Sequence, residues 1–218
     1  MVSVLLAVIV MNPANDYIEE IKSKGFTLIR KGGYQVLSKL LSELGKVIQQ
    51  KDIFIKRNFS KLASSTYEMP LHTDHSTVDF IAWHCIEQTD NGGESLLSDI
   101  SIAFNQLNQY QKELLMKVDI KNSKLFEGDL EFYPLVKIDG NTPSFYFLPW
   151  LAKEDESEEV KNALKELEKK LIENLVTLLL NKDDILVVDN KRILHGRNAI
   201  LGSKNRFLKR YWIKKIAK

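Results

Sequence analysis

Two spacings of apolar residues alternate along this chain. Val36, Leu37, Leu40, Leu41, Leu44, Val47 and Ile48 recur three and four apart, which predicts an amphipathic helix over Tyr34–Gln50. Tyr17, Ile18 and Ile21 give a shorter helix over Asp16–Lys24, with Asn15 or Asp16 as cap. A charged segment, Asp155–Leu180, carries a stripe at Val160, Leu164, Leu167, Leu171, Leu175 and Leu178 and reads as one long helix. Ile100–Met116 reads as another, capped by Asp99. Alternation in β-forming sequence marks strands at Gly25–Arg30, Val78–Ile86, Glu94–Ser98 and Arg206–Ile213. Asp184–Asp189 is apolar enough for a buried strand. Strands around Leu130–Ile138 and Ser144–Leu148 are joined by a turn at Asp139-Gly140-Asn141. Strands with flanking helices, and no glycine-rich phosphate loop, predict a mainly β sandwich or barrel core decorated by helices.

At 218 residues the whole chain, 1–218, reads as a single domain. A net charge of +2 is too small to argue for nucleic acid or a membrane as partner. Cys85 is the only cysteine, so no intramolecular disulfide can form, and a reducing cytoplasm is the expected location. The apolar run at residues 1–11 is about half the roughly 20 residues needed to cross a bilayer. It also lacks the basic stretch of a secretory signal. It reads as an N-terminal strand, or as an extension if Met11 is the true start. His84, Cys85 and the aromatics Trp83, Phe145, Phe147, Trp150 and Trp212 read mostly as core, with one or two of the aromatics expected to line a substrate pocket.

Candidate chemistry comes from two strings far apart in sequence, Leu71-His72-Thr73-Asp74 and Asp189-Asn190-Lys191-Arg192-Ile193-Leu194-His195. In extended chain, residues two apart share a face, so His72 and Asp74 can converge on one point. His195 lies past the strand that ends at Asp189, where a turn can bring it back over the sheet. Two imidazoles and one carboxylate hold iron(II) on one face and leave half of its octahedral positions open. Zinc with the same donors is the competing metal. His75 would face away from this point. Arg206, Leu208 and Arg210 alternate on one strand face, so two guanidiniums project near the third ligand. Each offers a planar fork for a carboxylate, unless both are solvated or paired with acids of the chain.

The sequence resembles the iron(II)- and 2-oxoglutarate-dependent dioxygenases of the taurine dioxygenase and clavaminate synthase-like superfamily. The resemblance runs from about Gly25 to Ile213. It is carried by His72-Thr73-Asp74, Gly92-Gly93-Glu94-Ser95-Leu96-Leu97-Ser98-Asp99, Asp184–Asn190, His195-Gly196-Arg197 and Arg206–Arg210. It implies a double-stranded β-helix (jelly-roll) core with His72, Asp74 and His195 as iron ligands. It further implies that Arg206 binds the distal carboxylate of 2-oxoglutarate, with the Ser95 hydroxyl, where the family usually has threonine, on the same group. Arg210 would meet an anionic group of the prime substrate, and Asp189 and Asn190 would fix the loop that carries His195. Arg197 follows the histidine in the clavaminate-like branch too and is given no chemical role. The implied reaction uses dioxygen to hydroxylate or desaturate an unactivated C–H bond of a small anionic substrate, such as an amino acid, releasing succinate and carbon dioxide. Asp74 argues against the halogenating relatives, in which a small residue replaces the metal carboxylate. A non-catalytic jelly roll that binds a ligand as a sensor is the alternative.

Overall fold

Residues 13–55, 64–140, 142–151, 157–203 and 205–216 are described by the computed structural model. The apolar run at 1–11 lies outside them. Helix α1 (Pro13–Lys24) turns into strand β1 (Phe26–Ile29), and helix α2 (Gly33–Leu44) follows. The helix expected over Tyr34–Gln50 is therefore cut short, because Lys46–Phe54 forms strand β2. Gly45 makes the break. It holds φ 148°, and a Cβ there would stand 2.2 Å from the Lys214 carbonyl oxygen. Only a residue without a side chain lets the backbones approach so closely.

Strands β3 (Met69–His72), β4 (Phe80–Glu87) and β5 (Ser95–Asp99) come next. The helix expected over Ile100–Met116 is two, α3 (Ile100–Asn105) and α4 (Gln109–Leu115). Asn108 separates them: its side chain accepts from the Gln111 amide while the Gln111 side chain accepts from the Asn108 amide. That reciprocal cap starts a new helix. Short strands β6 (Asp119–Lys121), β7 (Phe132–Pro134), β8 (Val136–Asp139) and β9 (Thr142–Phe145) pair as β6–β7 and β8–β9. Helix α5 (Glu158–Glu173) buries Val160, Leu167 and Leu171 as its stripe predicts. It ends before Leu175, and strand β10 (Val176–Leu178) pairs with β5 instead of extending the helix. Strands β11 (Ile185–Asp189), β12 (Ile193–Arg197) and β13 (Phe207–Lys214) complete the order.

Two antiparallel sheets result, β1-β11-β4-β13-β2 and β10-β5-β12-β3, the mainly β jelly roll with flanking helices that the sequence led us to expect. Strand β4 is apolar on both faces because both are covered. Phe80 and Ala82 meet Leu37, Leu40 and Leu44 of α2, while Ile81, Trp83 and Cys85 pack between the sheets with Leu97, Leu186 and Leu208. Helix α5 and the short hairpins form a third apolar cluster with Leu194 of β12. Among the described residues, no helix is long and apolar enough to cross a membrane.

The turn into β11 is tied by Asp184. Its buried carboxylate accepts from the Asn181 amide (2.8 Å), the Lys31 amide (3.0 Å) and Arg30 Nη1 (2.6 Å). Burial opposes its ionisation, but the two backbone donors and Arg30 outweigh that and lower its pKa. Asp184→Ala is expected to cost about 2 kcal/mol in urea unfolding, the scale of hydrogen bonds to a charged group. A folded-state pKa below the unfolded one means this stability is present at neutral pH. It is lost as pH falls below about 4, so the difference between wild type and variant should narrow in acid.

Candidate metal centre

Strand β12 lies between β5 and β3, and His195 sits directly opposite His72 in the β12–β3 pairing. Cross-strand partners carry their side chains side by side on one face, so the two ring centroids are 4.3 Å apart. The turn after β11 does bring His195 back over the sheet, but His195 itself lies on a strand and not on a loop. Asp74 follows β3 by two residues. Between the two, Thr73 turns the other way: its amide donates to the Phe147 carbonyl at 2.9 Å, and its hydroxyl accepts from the Phe147 amide at 2.9 Å. His72 and Asp74 are left on a common side. Asn190 Oδ1 accepts from the Asp74 amide (2.8 Å), and its Nδ2 donates to the Val78 carbonyl (3.0 Å). Asn190 therefore clamps the Asp74 loop rather than the His195 segment expected from sequence.

The ligand atoms of His72, Asp74 and His195 lie within 4.8 Å of one another, and all three residues are buried. Both Nε2 atoms are 3.7 Å from Asp74 Oδ1, too far for hydrogen bonds. His72 Nδ1 is 2.8 Å from the Pro70 carbonyl, which can only accept. That contact puts the proton on Nδ1 and leaves the Nε2 lone pair facing Asp74. Asp74 Oδ2 accepts from Arg210 Nη1 at 2.8 Å and Trp212 Nε1 at 2.6 Å, so Oδ1 alone is available. Burial opposes the charge on Asp74. The Arg210 guanidinium, helped by the two histidines, overcomes it and holds the carboxyl well below its usual range. Burial, then the neighbouring His72, pushes His195 down to about 4 despite Asp74. A neutral imidazole and an ionised carboxylate are the metal-binding forms. Two imidazole nitrogens and one carboxylate oxygen converge without satisfying one another, and that donor set fits a divalent ion.

A cavity opens beside these residues, between the sheets. Ile53, Trp83, Leu186, Leu208 and Arg210 line it from one sheet, with Arg206 just before β13; Met69, Ser95, Leu97 and Arg197 line it from the other. Arg206, Leu208 and Arg210 do share one side, as their alternation predicts. Arg206 is 4% exposed, and no carboxylate pairs with it among the described residues. Burial, then the nearby charge of Arg197, lowers its pKa to about 10. Arg210 reaches the cavity but has given one nitrogen to Asp74, a partner not anticipated from sequence; its Nε has no acceptor among the described residues. His75 turns away as expected, with Nε2 2.6 Å from the Ser123 carbonyl. Three of the aromatics read as core border this centre, more than the one or two expected at a pocket, and one of them, Trp150, is exposed rather than core. Trp212 binds Asp74, Trp83 packs edge-on to His195 at 4.9 Å, and Trp150 lies 5.1 Å from the His72 ring. Of the three, Trp212 was within reach of sequence, since it sits two positions beyond Arg210 on the same strand.

A family model described as taurine catabolism dioxygenase TauD, TfdA family matches residues 43–212. The chain belongs to this family. No curated protein matches it in sequence. Solved structures that share the fold include an asparagine oxygenase in complex with Fe(II), 2S,3S-3-hydroxyasparagine and succinate. That chain gives a TM-score of 0.77 at 15% identity, with 93% of this chain and 79% of that one covered. The non-haem iron oxygenase OrfP, in complex with Fe and alpha-ketoglutaric acid, gives 0.73 at 17% identity, covering 94% and 80%. The PvcB protein from Pseudomonas aeruginosa gives 0.69 at 18%, covering 93% and 80%. As a family member the protein is a non-haem iron, 2-oxoglutarate-dependent oxygenase, with dioxygen as oxidant.

Proposed function

We propose that His72, Asp74 and His195 hold iron(II), and that Arg206 and Ser95 receive the distal carboxylate of 2-oxoglutarate. The enzyme then oxidises an unactivated C–H bond of a small anionic substrate, an amino acid or related acid. One observation carries the reading: three convergent ligand atoms stand beside a cavity that holds a buried guanidinium with no acid partner among the described residues. Iron(II) with 2-oxoglutarate, held by these residues, would supply activation of dioxygen for hydroxylation or desaturation of the substrate, with succinate and carbon dioxide as co-products.

The chain's own residues supply geometry and enclosure. Pro70 fixes the His72 tautomer, while Arg210 and Trp212 turn Asp74 so that a single oxygen faces the centre. Leu97, Leu186 and Leu208 give the cavity apolar walls that exclude water. The unengaged Nε of Arg210 is the group we assign to an anionic end of the substrate. An amino acid is favoured by two neighbours, since the asparagine oxygenase was solved with a hydroxyasparagine and OrfP with (3S)-hydroxy-L-Arg. The lone, buried Cys85 suits the reducing cytoplasm.

Anaerobic addition of 2-oxoglutarate to the iron(II) protein should produce a weak visible charge-transfer band. In Arg206→Met the 2-oxoglutarate needed for half-saturation should rise by about a hundredfold, since roughly 2–3 kcal/mol of charged hydrogen bonding is lost. Unchanged half-saturation would remove Arg206 from this role. Coupled succinate release across a panel of free amino acids then identifies the substrate.

A further inference from the structure

The proposed reaction leaves Arg197 without a task, yet its placement is unusual. It follows His195 by two on β12 and lies directly opposite Ser95 in the β12–β5 pairing. It is 5% exposed and lines the same cavity as Ser95 and Arg206. Its Nη2 donates to the carbonyls of Ser65 and Tyr67. Those acceptors are neutral, so they orient the guanidinium without balancing its charge. The arginine ion pairs among the described residues belong to Arg30, Arg192 and Arg210. The Nε atoms of Arg197 and Arg206 are both buried without an acceptor among the described residues.

Two buried guanidiniums on one cavity repel each other. Both are buried and line the same cavity, and neither has a carboxylate partner among the described residues. A site arranged this way is completed by an anion, and a carboxylate is the planar acceptor that matches two forks. A single arginine would suffice for a carboxylate at the surface. In a buried cavity the second cation adds discrimination against an acid that lacks the remote charge.

We propose that Arg197 is the second cation of the co-substrate pocket, acting with Arg206 and Ser95 to select a 2-oxo acid that carries a remote carboxylate over one that does not. The inference rests on placing 2-oxoglutarate in this cavity. It is tested by anaerobic charge-transfer titration of the iron(II) enzyme with two acids. One is 2-oxoglutarate; the other is 2-oxopentanoate, which keeps the chelating end and lacks the distal carboxylate. Arg197→Gln should raise half-saturation by 2-oxoglutarate about tenfold and leave that by 2-oxopentanoate unchanged. Equal changes for both acids, or none, would overturn the proposal and reduce Arg197 to a support for the Ser65 and Tyr67 carbonyls. Arg197→Lys, which keeps the charge and loses the fork, covers a glutamine variant that does not fold. A rise of about threefold confined to 2-oxoglutarate supports the role, and equal or absent changes overturn it. Wild-type enzyme that gives no band with either acid would overturn the iron and 2-oxoglutarate assignment, and this inference with it.

Discussion

Asp74→Ala is expected to abolish succinate formation and iron(II) binding, a loss well beyond the roughly 10–100-fold that removing a supporting group around a metal ligand costs. Three effects add. The centre loses its one anionic donor, so an incoming cation meets two imidazoles and a guanidinium. Arg210 and Trp212 lose the oxygen to which both donate. Arg210, only 12% exposed in its side chain, is left as a buried charge without its partner. Breaking a buried pair on one side costs about 3–5 kcal/mol, so the variant should also melt earlier. Anaerobic iron titration, coupled succinate release and a melting curve read these effects separately. A folded Asp74→Ala protein that binds iron(II) as wild type does would remove the carboxylate from the centre.

Gly196→Ala should be nearly as damaging, although glycine contributes no chemistry. A Cβ at this position would stand 2.6 Å from the Met69 carbonyl oxygen on β3. The obstacle is backbone on the neighbouring strand, so no side chain can swing aside. The β12–β3 register shifts between His195 and Arg197, at the position of this glycine. Forcing them apart separates His72 from His195. We expect a loss of about 1–3 kcal/mol in unfolding free energy, the usual scale for overpacking. Iron affinity should fall as well, with every ligand still present. Wild-type stability together with wild-type iron affinity would show that the two strands have room to part.

Much of this site was legible because its chemistry is local in sequence. His72 and Asp74 flank one residue, and extended chain turns both to one side. Arg206, Leu208 and Arg210 declare a shared strand face by alternation alone. The partners of these groups were harder to see. In sequence Arg210 is open to a ligand carboxylate or to any acid of the chain, and only the fold picks out Asp74. Asn190 adjoins the His195 string, yet its side chain crosses to the Asp74 loop. Strand β12 was missed because Asp189 to Arg192 reads as a stop, and the chain resumes its strand after so short a turn that no pattern develops. The two overlong helices fail for a related reason. Val47 and Ile48 continue the period of α2, and Leu175 and Leu178 that of α5, so local spacing gives no stop. What ends these helices is tertiary: the close approach of Gly45 to Lys214, and the open edge of β5 that captures β10.

The bend that joins β11 to β12 answers to two separate demands. Asn190 opens it and reaches back to the Asp74 amide, while the residues after it set where His195 falls against His72. One residue more or fewer in this bend would move the carboxylate anchor and flip the second imidazole to the other face together, without touching either ligand. Loop length, ordinarily the most forgiving property of a β-protein, is here as constrained as the identity of the ligands themselves.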